Sequence, residues 1–392
     1  MKIIIASETF PTKTHIDGCA VFTERLAKGL AARGHQVLAI GPNSEFKDSL
    51  DREGPNLKVF RLKSFLVKPV HPRFRFIYNI DLFWKLKKVV KNFNPDIIHI
   101  QNHMAVGRIL VSLAKKMMIP IGGTNHFMPE NLIQWMPFGK EETSKIMWLD
   151  FCRVFDKLDF VTTPTQAAAD LLRKIGFYND IVIISNGIDL KKFKKRPVKD
   201  LLWEKYDLDK KLRNFIFVGR IDKDKNVNLA IKSFSIALKK SKMQFLVVGV
   251  GPKENEYKNL AKKLGVSKYV KFTGKVSEEE LRALYCMADV CVAPGEAELQ
   301  GIAIMEAMAC GLPVIGLNAV AIPELVKDGV NGYIFEKNAQ DLGKKMLEIF
   351  RDKKKLNLMR RNSLRMIKRH EFSNTLKKFE ELYKKTIEEY KN

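Results

Sequence analysis

The sequence predicts an α/β chain folded as two Rossmann-like units with mostly parallel sheets, on three observations. Short apolar runs of strand type alternate with amphipathic runs of helix type along the whole chain. That alternation begins at residues 2–6 and begins again at 215–218, after a basic stretch at 191–199 that contains Pro197. A length of 392 residues also favours two domains over one. The expected division is 1–190 and 191–372, with a final helix at 373–392 packing back on the first domain. Two such units facing each other place a crevice at the C-terminal ends of both sheets.

Composition narrows the classes. A hydrophobic fraction of 46% supplies ordinary globular cores. Lys and Arg number 69 against 44 Asp and Glu, a net charge of +25. Such an excess suits polyanions: nucleic acid, an anionic membrane surface or phosphorylated substrates. It also suits a Lys-rich chain with solvated faces. The five cysteines (Cys19, Cys152, Cys286, Cys291, Cys310) form no CxxC pair, which fits a reducing, cytoplasmic compartment. Cys291 and Cys310 lie in apolar runs and read as small core residues. The first residues are too short an apolar run for a signal segment and read as a strand. No apolar run approaches the roughly 18 residues of a spanning helix.

Taken in order, residues 2–6 form the first strand, and Asp17-Gly18 a loop before a helix at 22–33. Gly18 lets backbone approach a ligand phosphate, or simply makes a turn. This is not a GxGxxG fingerprint, which argues against NAD. Residues 36–40 are the next strand. Residues 58–91 then hold ten Lys or Arg and a single acid, Asp81. Interleaved with them are Phe60, Phe65, Phe74, Phe76, Tyr78, Phe83 and Trp84. This mixture suits nucleic acid or an anionic membrane interface. Residues 82–91 read as an amphipathic helix with a cationic face, carrying Trp84, Lys85, Lys87, Lys88 and Lys91; an ordinary helix covering one sheet has the same pattern.

Residues 96–100 are a strand, with His99 and His103 close by. Gly123-Thr124-Asn125-His126-Phe127 follows an apolar segment. A histidine there can bind a hydroxyl or move a proton, or be structural. No cluster has metal-ligand spacing, so neither a metal nor a cofactor is expected.

In the second unit Phe217-Val218-Gly219-Arg220-Ile221 ends a strand. Arg220 and Lys225 follow it into a helix start, where two cations and backbone amides can grip a diphosphate. Val248-Gly249-Val250-Gly251-Pro252 reads as a strand-ending turn after the strand at 244–248. Strands at 270–272, 290–293 and 313–316 complete the rhythm. Between the last two lies Glu298-Leu299-Gln300-Gly301-Ile302-Ala303-Ile304-Met305-Glu306. Two carboxylates are separated by seven residues, Gly301 among them, and the second lies on a helix that runs to Gly311. Amides at a helix start attract phosphate, so strand end, loop acid and helix suggest a site for a phosphorylated sugar donor. The basic run at 353–369 reads as a solvated face. Leu376, Phe379, Leu382, Tyr383, Ile387 and Tyr390 mark the last helix.

Four segments carry a resemblance. Glu298-x7-Glu306, Gly219-Arg220…Lys225, Ile184-Ser185-Asn186-Gly187-Ile188-Asp189 and Leu30-Ala31-Ala32-Arg33-Gly34-His35 together resemble the retaining, nucleotide-sugar-dependent glycosyltransferases of family 4, which have the GT-B fold. The likeness runs from about residue 2 to 390. It implies that Arg220 and Lys225 hold the donor diphosphate, Glu306 the ribose hydroxyls, and that Glu298 sits beside the transferred sugar. Amides around Gly301 and Ile302, and at Gly18, would touch sugar or phosphate; the Gly274-Lys275-Val276 loop would meet the base; His126 would lie near the reacting centre.

The chain departs from the family pattern at Leu299-Gln300, where many members have Gly-Phe, at Asp17-Gly18, where many have Gly-Gly, and at Gln101, often His. Glu298-x-Gln300-Gly301 is similar to the branch that glucosylates diacylglycerol. Membrane-binding branches carry a basic aromatic segment where 58–91 lies. The resemblance therefore implies a hexosyltransferase, with UDP-glucose favoured, that acts on a lipid acceptor. It would be cytoplasmic and peripheral on the inner face of the membrane, with no specific nucleic acid partner. A family member acting on a sugar, glycan or small molecule is the alternative. A polyanion-binding scaffold is a more remote one.

Overall fold

The computed structural model describes residues 1–11, 18–66, 75–77, 79–133 and 139–391. It divides into two compact units, Met1–Ser185 with Thr375–Asn392, and Asn186–Asn374.

The first unit contains strands β1 (Lys2–Ala6), β2 (Gln36–Pro42), β3 (Ser49–Arg52), β4 (Leu57–Leu62), β5 (Phe65–Leu66), β6 (Arg75–Phe76), β7 (Ile97–Ile100), β8 (Ile121–Thr124), β9 (Phe160–Thr163) and β10 (Ile181–Ile183). Eight of them form one sheet in the order β10-β9-β8-β7-β1-β2-β4-β3. Every pairing is parallel except β3 with β4. Strand order reverses at β1, which lies between β2 and β7, so the chain leaves the sheet in opposite directions there and opens a crevice.

The first helix spans Gly18–Ala32, not 22–33. Its buried stripe of Ala20, Phe22, Thr23, Leu26, Ala27 and Leu30 begins two residues before Phe22, and the helix extends back to Gly18. Gly18 is thus a first-turn helical residue rather than a loop residue; Asp17 lies outside the described residues. The final helix, Phe372–Lys391, buries Leu376, Phe379 and Tyr383. Within the first unit, Tyr383 Oη lies 2.6 Å from His99 Nδ1, and Glu380 accepts from Arg33 at 2.7 and 2.8 Å. The other His99 nitrogen meets Thr124 Oγ1 at 2.8 Å. Burial, with the charge of His126 second, holds His99 down to about 3, so it is a neutral core histidine.

At the strand-order reversal Glu8 follows β1. Its Oε1 accepts the Val106 N–H at 2.7 Å, at the start of helix Ala105–Met117. Burial raises its pKa from 4.5 to about 7, against that hydrogen bond and the charge of Arg108. The folded value lies above the unfolded one, so this group's stabilisation is complete below about pH 4.5 and is lost as pH rises through about 7. Glu8→Gln keeps the acceptor oxygen and removes the charge. It is expected to be more stable than the parent by about 3 kcal/mol at pH 8, and within about 1 kcal/mol of it at pH 5. Urea denaturation at both pH values measures the difference; an equal gap at both contradicts this account.

The second unit contains β11 (Arg213–Val218), β12 (Met243–Val248), β13 (Val270–Gly274), β14 (Val290–Ala293), β15 (Val314–Leu317) and β16 (Gly332–Phe335). They form a fully parallel sheet in the order β13-β12-β11-β14-β15-β16. The strands are near-continuous apolar runs, as burial on both faces requires. Here the order reverses between β11 and β14, and the loops after those two strands flank the reversal.

Candidate functional site

The loop after β11 is built to aim charge. Gly219 N–H bonds the Val248 carbonyl at 3.0 Å, and Ile221 N–H bonds Val250 at 3.2 Å, so the segment carrying Arg220 lies along the end of β12. Asp222 caps the short turn Lys223–Lys225 by accepting the Lys223 N–H at 2.8 Å. Asn226, at φ 48°, redirects the chain into helix Val227–Leu238. Its side-chain amide donates to the Pro294 carbonyl at 3.1 Å, and Glu296 N–H bonds the Asp224 carbonyl at 3.0 Å. The loops after β11 and β14 are therefore tied together.

Across that tie the charges meet. Arg220 donates to Asp222 at 2.9 Å and to Asp224 at 3.4 Å. Lys225 Nζ lies 2.6 Å from Glu298 Oε1 and 3.1 Å from Asp224 Oδ2. Asp222 and Asp224 are 1% and 3% exposed, so these charges are fixed by one another rather than by solvent. Burial works against the Lys225 charge; Glu298 and Asp224 outweigh it, and its pKa is raised. Burial raises Asp222, against Arg220.

The second carboxylate sits on helix Ile302–Ala309, which starts at Gly301 with φ +79°. That left-handed turn aims the first amides, at Ile302 and Ala303, out of the helix end. Glu306 lies one turn further in and is 5% exposed. Tyr285 Oη donates to Glu306 Oε2 at 3.2 Å and lies 3.1 Å from the Ala303 carbonyl. Burial, with the Glu306 charge, raises the Tyr285 hydroxyl well above its usual pKa, so it stays a donor. Val276 follows the turn at Gly274 (φ +70°), where β13 ends and Gly249 N–H meets the Gly274 carbonyl at 3.2 Å.

Two family models match the chain: "Glycosyltransferase Family 4" over residues 16–192 and "Glycosyl transferases group 1" over residues 198–366. The chain belongs to the family 4 glycosyltransferases. Its fold is GT-B. A sucrose-phosphate synthase from Thermosynechococcus elongatus superposes with a TM-score of 0.83 at 18% identity, covering 98% of each chain. An alpha-monoglucosyldiacylglycerol synthase from Acholeplasma laidlawii is 26% identical over 93% of this chain and 92% of its own length. An N-acetyl-alpha-D-glucosaminyl L-malate synthase from Bacillus anthracis is 27% identical over 86% of this chain and 84% of its own.

In this glycosyltransferase Arg220, Lys225 and Glu298 are brought into one contact network, and Gly301, Ile302, Glu306 and Val276 belong to the same unit. Glu306 accepts from the Tyr285 hydroxyl in that unit. His126 and Gly18 belong to the first unit, where His126 Nε2 lies 3.0 Å from Gln101 Oε1 and its ring 5.0 Å from that of Phe22. Gln101 thus partners His126 directly.

Helix Leu82–Phe93 buries Leu82, Leu86 and Val90 and exposes Trp84, Lys87, Lys88 and Lys91. Lys87 Nζ stands 5.2 Å from the Trp84 ring centre. Lys85 is a correction to the expected cationic face: it pairs with Asp48 at 2.7 Å and Asp81 at 3.0 Å, because Asp48 from the preceding strand region reaches that side of the helix. Phe74 and Tyr78 lie outside the described residues. Among the described residues no helix is long and apolar enough to cross a membrane.

Several residues of the site carried no signal in the sequence reading. Asp222 and Asp224 orient both cations, and only their spacing around Arg220 hinted at it. Tyr285 is one more aromatic on a helix until its hydroxyl is seen on Glu306. Gln300 is 2% exposed and accepts the Asn186 N–H at 2.8 Å, which explains a buried glutamine directly before Gly301.

Proposed function

We propose that this chain transfers a hexose from a nucleotide sugar, with UDP-glucose favoured, to a lipid hydroxyl such as that of diacylglycerol, with retention at the anomeric carbon. The observation that carries the donor half is the seat of Lys225, between Asp224 and Glu298 and beside Arg220, at the strand-order reversal. As the glycosidic bond breaks, negative charge grows on the diphosphate. Two cations already oriented by carboxylates stabilise that charge with little reorganisation. The planar Arg220 fork suits two phosphate oxygens; Lys225 acts as a point charge. The helix amides at Ile302 and Ala303 add partial positive charge. Glu306, held by Tyr285, accepts from ribose hydroxyls. Glu298 exchanges its Lys225 contact for the sugar hydroxyls as the diphosphate takes Lys225. The leaving phosphate accepts the acceptor's proton on the same sugar face, which accounts for retention without a protein nucleophile.

The acceptor half is supported by the exposed Trp84, Lys87, Lys88 and Lys91 face and by the 26% identical diacylglycerol-directed relative. Each surface lysine contributes about 1 kcal/mol toward anionic lipid. Changing Lys87, Lys88 and Lys91 to Gln together is therefore expected to weaken vesicle binding by roughly a hundredfold. Lysines on an ordinary surface helix would leave it unchanged, and sedimentation with anionic vesicles measures it. The protein would then be a peripheral membrane enzyme. A soluble acceptor is the second reading, favoured by the malate-directed relative.

The deciding assay is turnover of a UDP-sugar panel, UDP-glucose first, with anionic vesicles containing diacylglycerol and Glu306→Ala as control. Glycolipid that vanishes in the control supports both halves. Donor hydrolysis lost in the control, with no lipid product, keeps the donor half and moves the acceptor to a soluble molecule. No donor consumption under any condition sinks the proposal.

A further inference from the structure

Helix Glu254–Lys263 buries Tyr257 and Ala261. Asn255, Lys258, Asn259 and Lys262 follow the i, i+3, i+4, i+7 spacing of one helix face, and they line a cavity of about 660 Å³. Its other walls are β13 and the turn that follows helix Asp200–Lys205. β13 is the edge strand of its sheet. Val270 and Phe272 point to one face of that strand and Lys271 to the other, so the cavity wraps around the free edge. All of these residues belong to the second unit. They sit on the starting half of β13, whereas the donor loops follow the C-terminal ends of β11 and β14.

The charge in this cavity is one-sided. Lys205, Lys258, Lys262 and Lys271 line it, against the single acid Asp207. The acids paired with two of these lysines stand outside the lining: Glu280 with Lys205, and Glu254 with Lys258 at 2.8 Å. Lys262 enters no ion pair among the described residues. The Lys271 side chain is 19% exposed, while its partner Asp207 is 90% exposed. A concave surface with four cations and one solvated acid concentrates anions. Lys258 Nζ also stands 5.6 Å from the Phe272 ring centre, which sets an aromatic face beside a cation. The amides of Asn255 and Asn259 offer both donors and acceptors to hydroxyl groups. The volume falls in the ordinary range of small-molecule sites and is far larger than a lone phosphate needs.

We propose that this cavity is a second small-molecule site, which binds a phosphorylated polyol of sugar-phosphate size apart from the nucleotide-sugar seat. The phosphate is held by Lys258, Lys262 and Lys271, and the hydroxyls by Asn255 and Asn259. The Phe272 ring backs the carbon skeleton. None of these residues belongs to the network of Arg220, Lys225 and Glu298, so the cavity fills whether or not the donor seat is occupied.

The test titrates glucose 6-phosphate into the full chain by calorimetry, with and without saturating UDP. Binding at a single site is expected in both cases. Lys258→Gln combined with Lys262→Gln is expected to weaken it by about a hundredfold, about tenfold for each charge-assisted contact, and to leave UDP binding unchanged. A thermal melt matching the parent shows that the double variant folds; if the melt drops, Lys262→Gln alone gives the same test at about tenfold. Inorganic phosphate is the comparison ligand and is expected to bind at least about tenfold more weakly. Equal affinity for the two means an adventitious ion only and overturns the proposal. So does the absence of binding, binding that UDP abolishes, or binding that the lysine variants retain in full. A protein that takes glucose 6-phosphate through these lysines but binds no UDP supports the second site and overturns the donor reading instead.

Discussion

Lys225→Ala is expected to lower kcat/KM for the nucleotide sugar by about 10²–10³-fold and to destabilise the fold by about 2 kcal/mol at the same time. The catalytic loss follows from where charge develops. The leaving diphosphate gains negative charge only as the bond breaks, so a cation fixed beside it stabilises the transition state more than the bound donor. Water entering the space left by the side chain is a poor substitute, because it must reorient during the reaction. Arg220 remains, but it is shared between Asp222 and Asp224.

The stability loss has a different cause and can be separated. Lys225 is 13% exposed, Asp224 3% and Glu298 28%. Removing the cation leaves Asp224 with Arg220 at 3.4 Å and Glu298 without its 2.6 Å partner. Breaking one side of a buried pair costs more than the pair was worth, since the other charge stays desolvated. Lys225→Met combined with Glu298→Gln removes both charges and keeps their volumes. That double variant is expected to recover most of the stability and none of the activity. Urea denaturation and donor kinetics on the same preparations decide it. Recovery of activity in the double variant would mean that Lys225 serves only to neutralise Glu298.

The sequence made the α/β class plain because buried parallel strands are short apolar runs, and residues 2–6 and 290–293 needed no context to be read as strands. β8 is harder to see: Ile121-Gly122-Gly123-Thr124 has two residues without side chains. The fold explains them, since a Cβ on Gly122 would stand 2.1 Å from the Phe160 ring and one on Gly123 2.7 Å from Leu158. β9 ends in two threonines that look exposed in sequence. Thr162 is buried because its hydroxyl meets that of Thr124 at 2.6 Å, and Thr124 in turn meets His99. In the candidate site the same limit applies. Arg220, Lys225, Glu298 and Glu306 stand out as charged residues at strand ends and helix starts. What holds them is a set of pairings between loops some 70 residues apart, such as Asn226 to Pro294, and hydrophobic or charge periodicity carries no record of those.

Gly251→Ala is expected to destabilise the protein by about 3 kcal/mol or more and to weaken donor binding. The sequence reading took Val248-Gly249-Val250-Gly251-Pro252 as a turn that merely ends a strand. In the fold this turn is the seat of the Arg220 loop. A Cβ at Gly251 would lie 2.0 Å from the Ile221 carbonyl oxygen and 2.6 Å from its nitrogen. Those are backbone atoms and cannot rotate away. The same carbonyl accepts the Lys253 N–H at 3.1 Å, so the loop is held on both sides. Relief therefore requires Arg220 and Ile221 to move together, and with them the guanidinium proposed to grip the donor phosphate. Gly265→Ala separates this clash from ordinary glycine effects. Gly265 has φ +70° with no atom near its would-be Cβ, so only the left-handed backbone is strained, at about 1–2 kcal/mol. If Gly251→Ala unfolds no more easily than Gly265→Ala, the close approach does not set the loop. If it unfolds much more easily and the surviving folded fraction binds UDP-glucose as the parent does, the loop shifts without carrying Arg220. A large stability loss together with a raised donor KM is the combination that a backbone-seated phosphate loop requires.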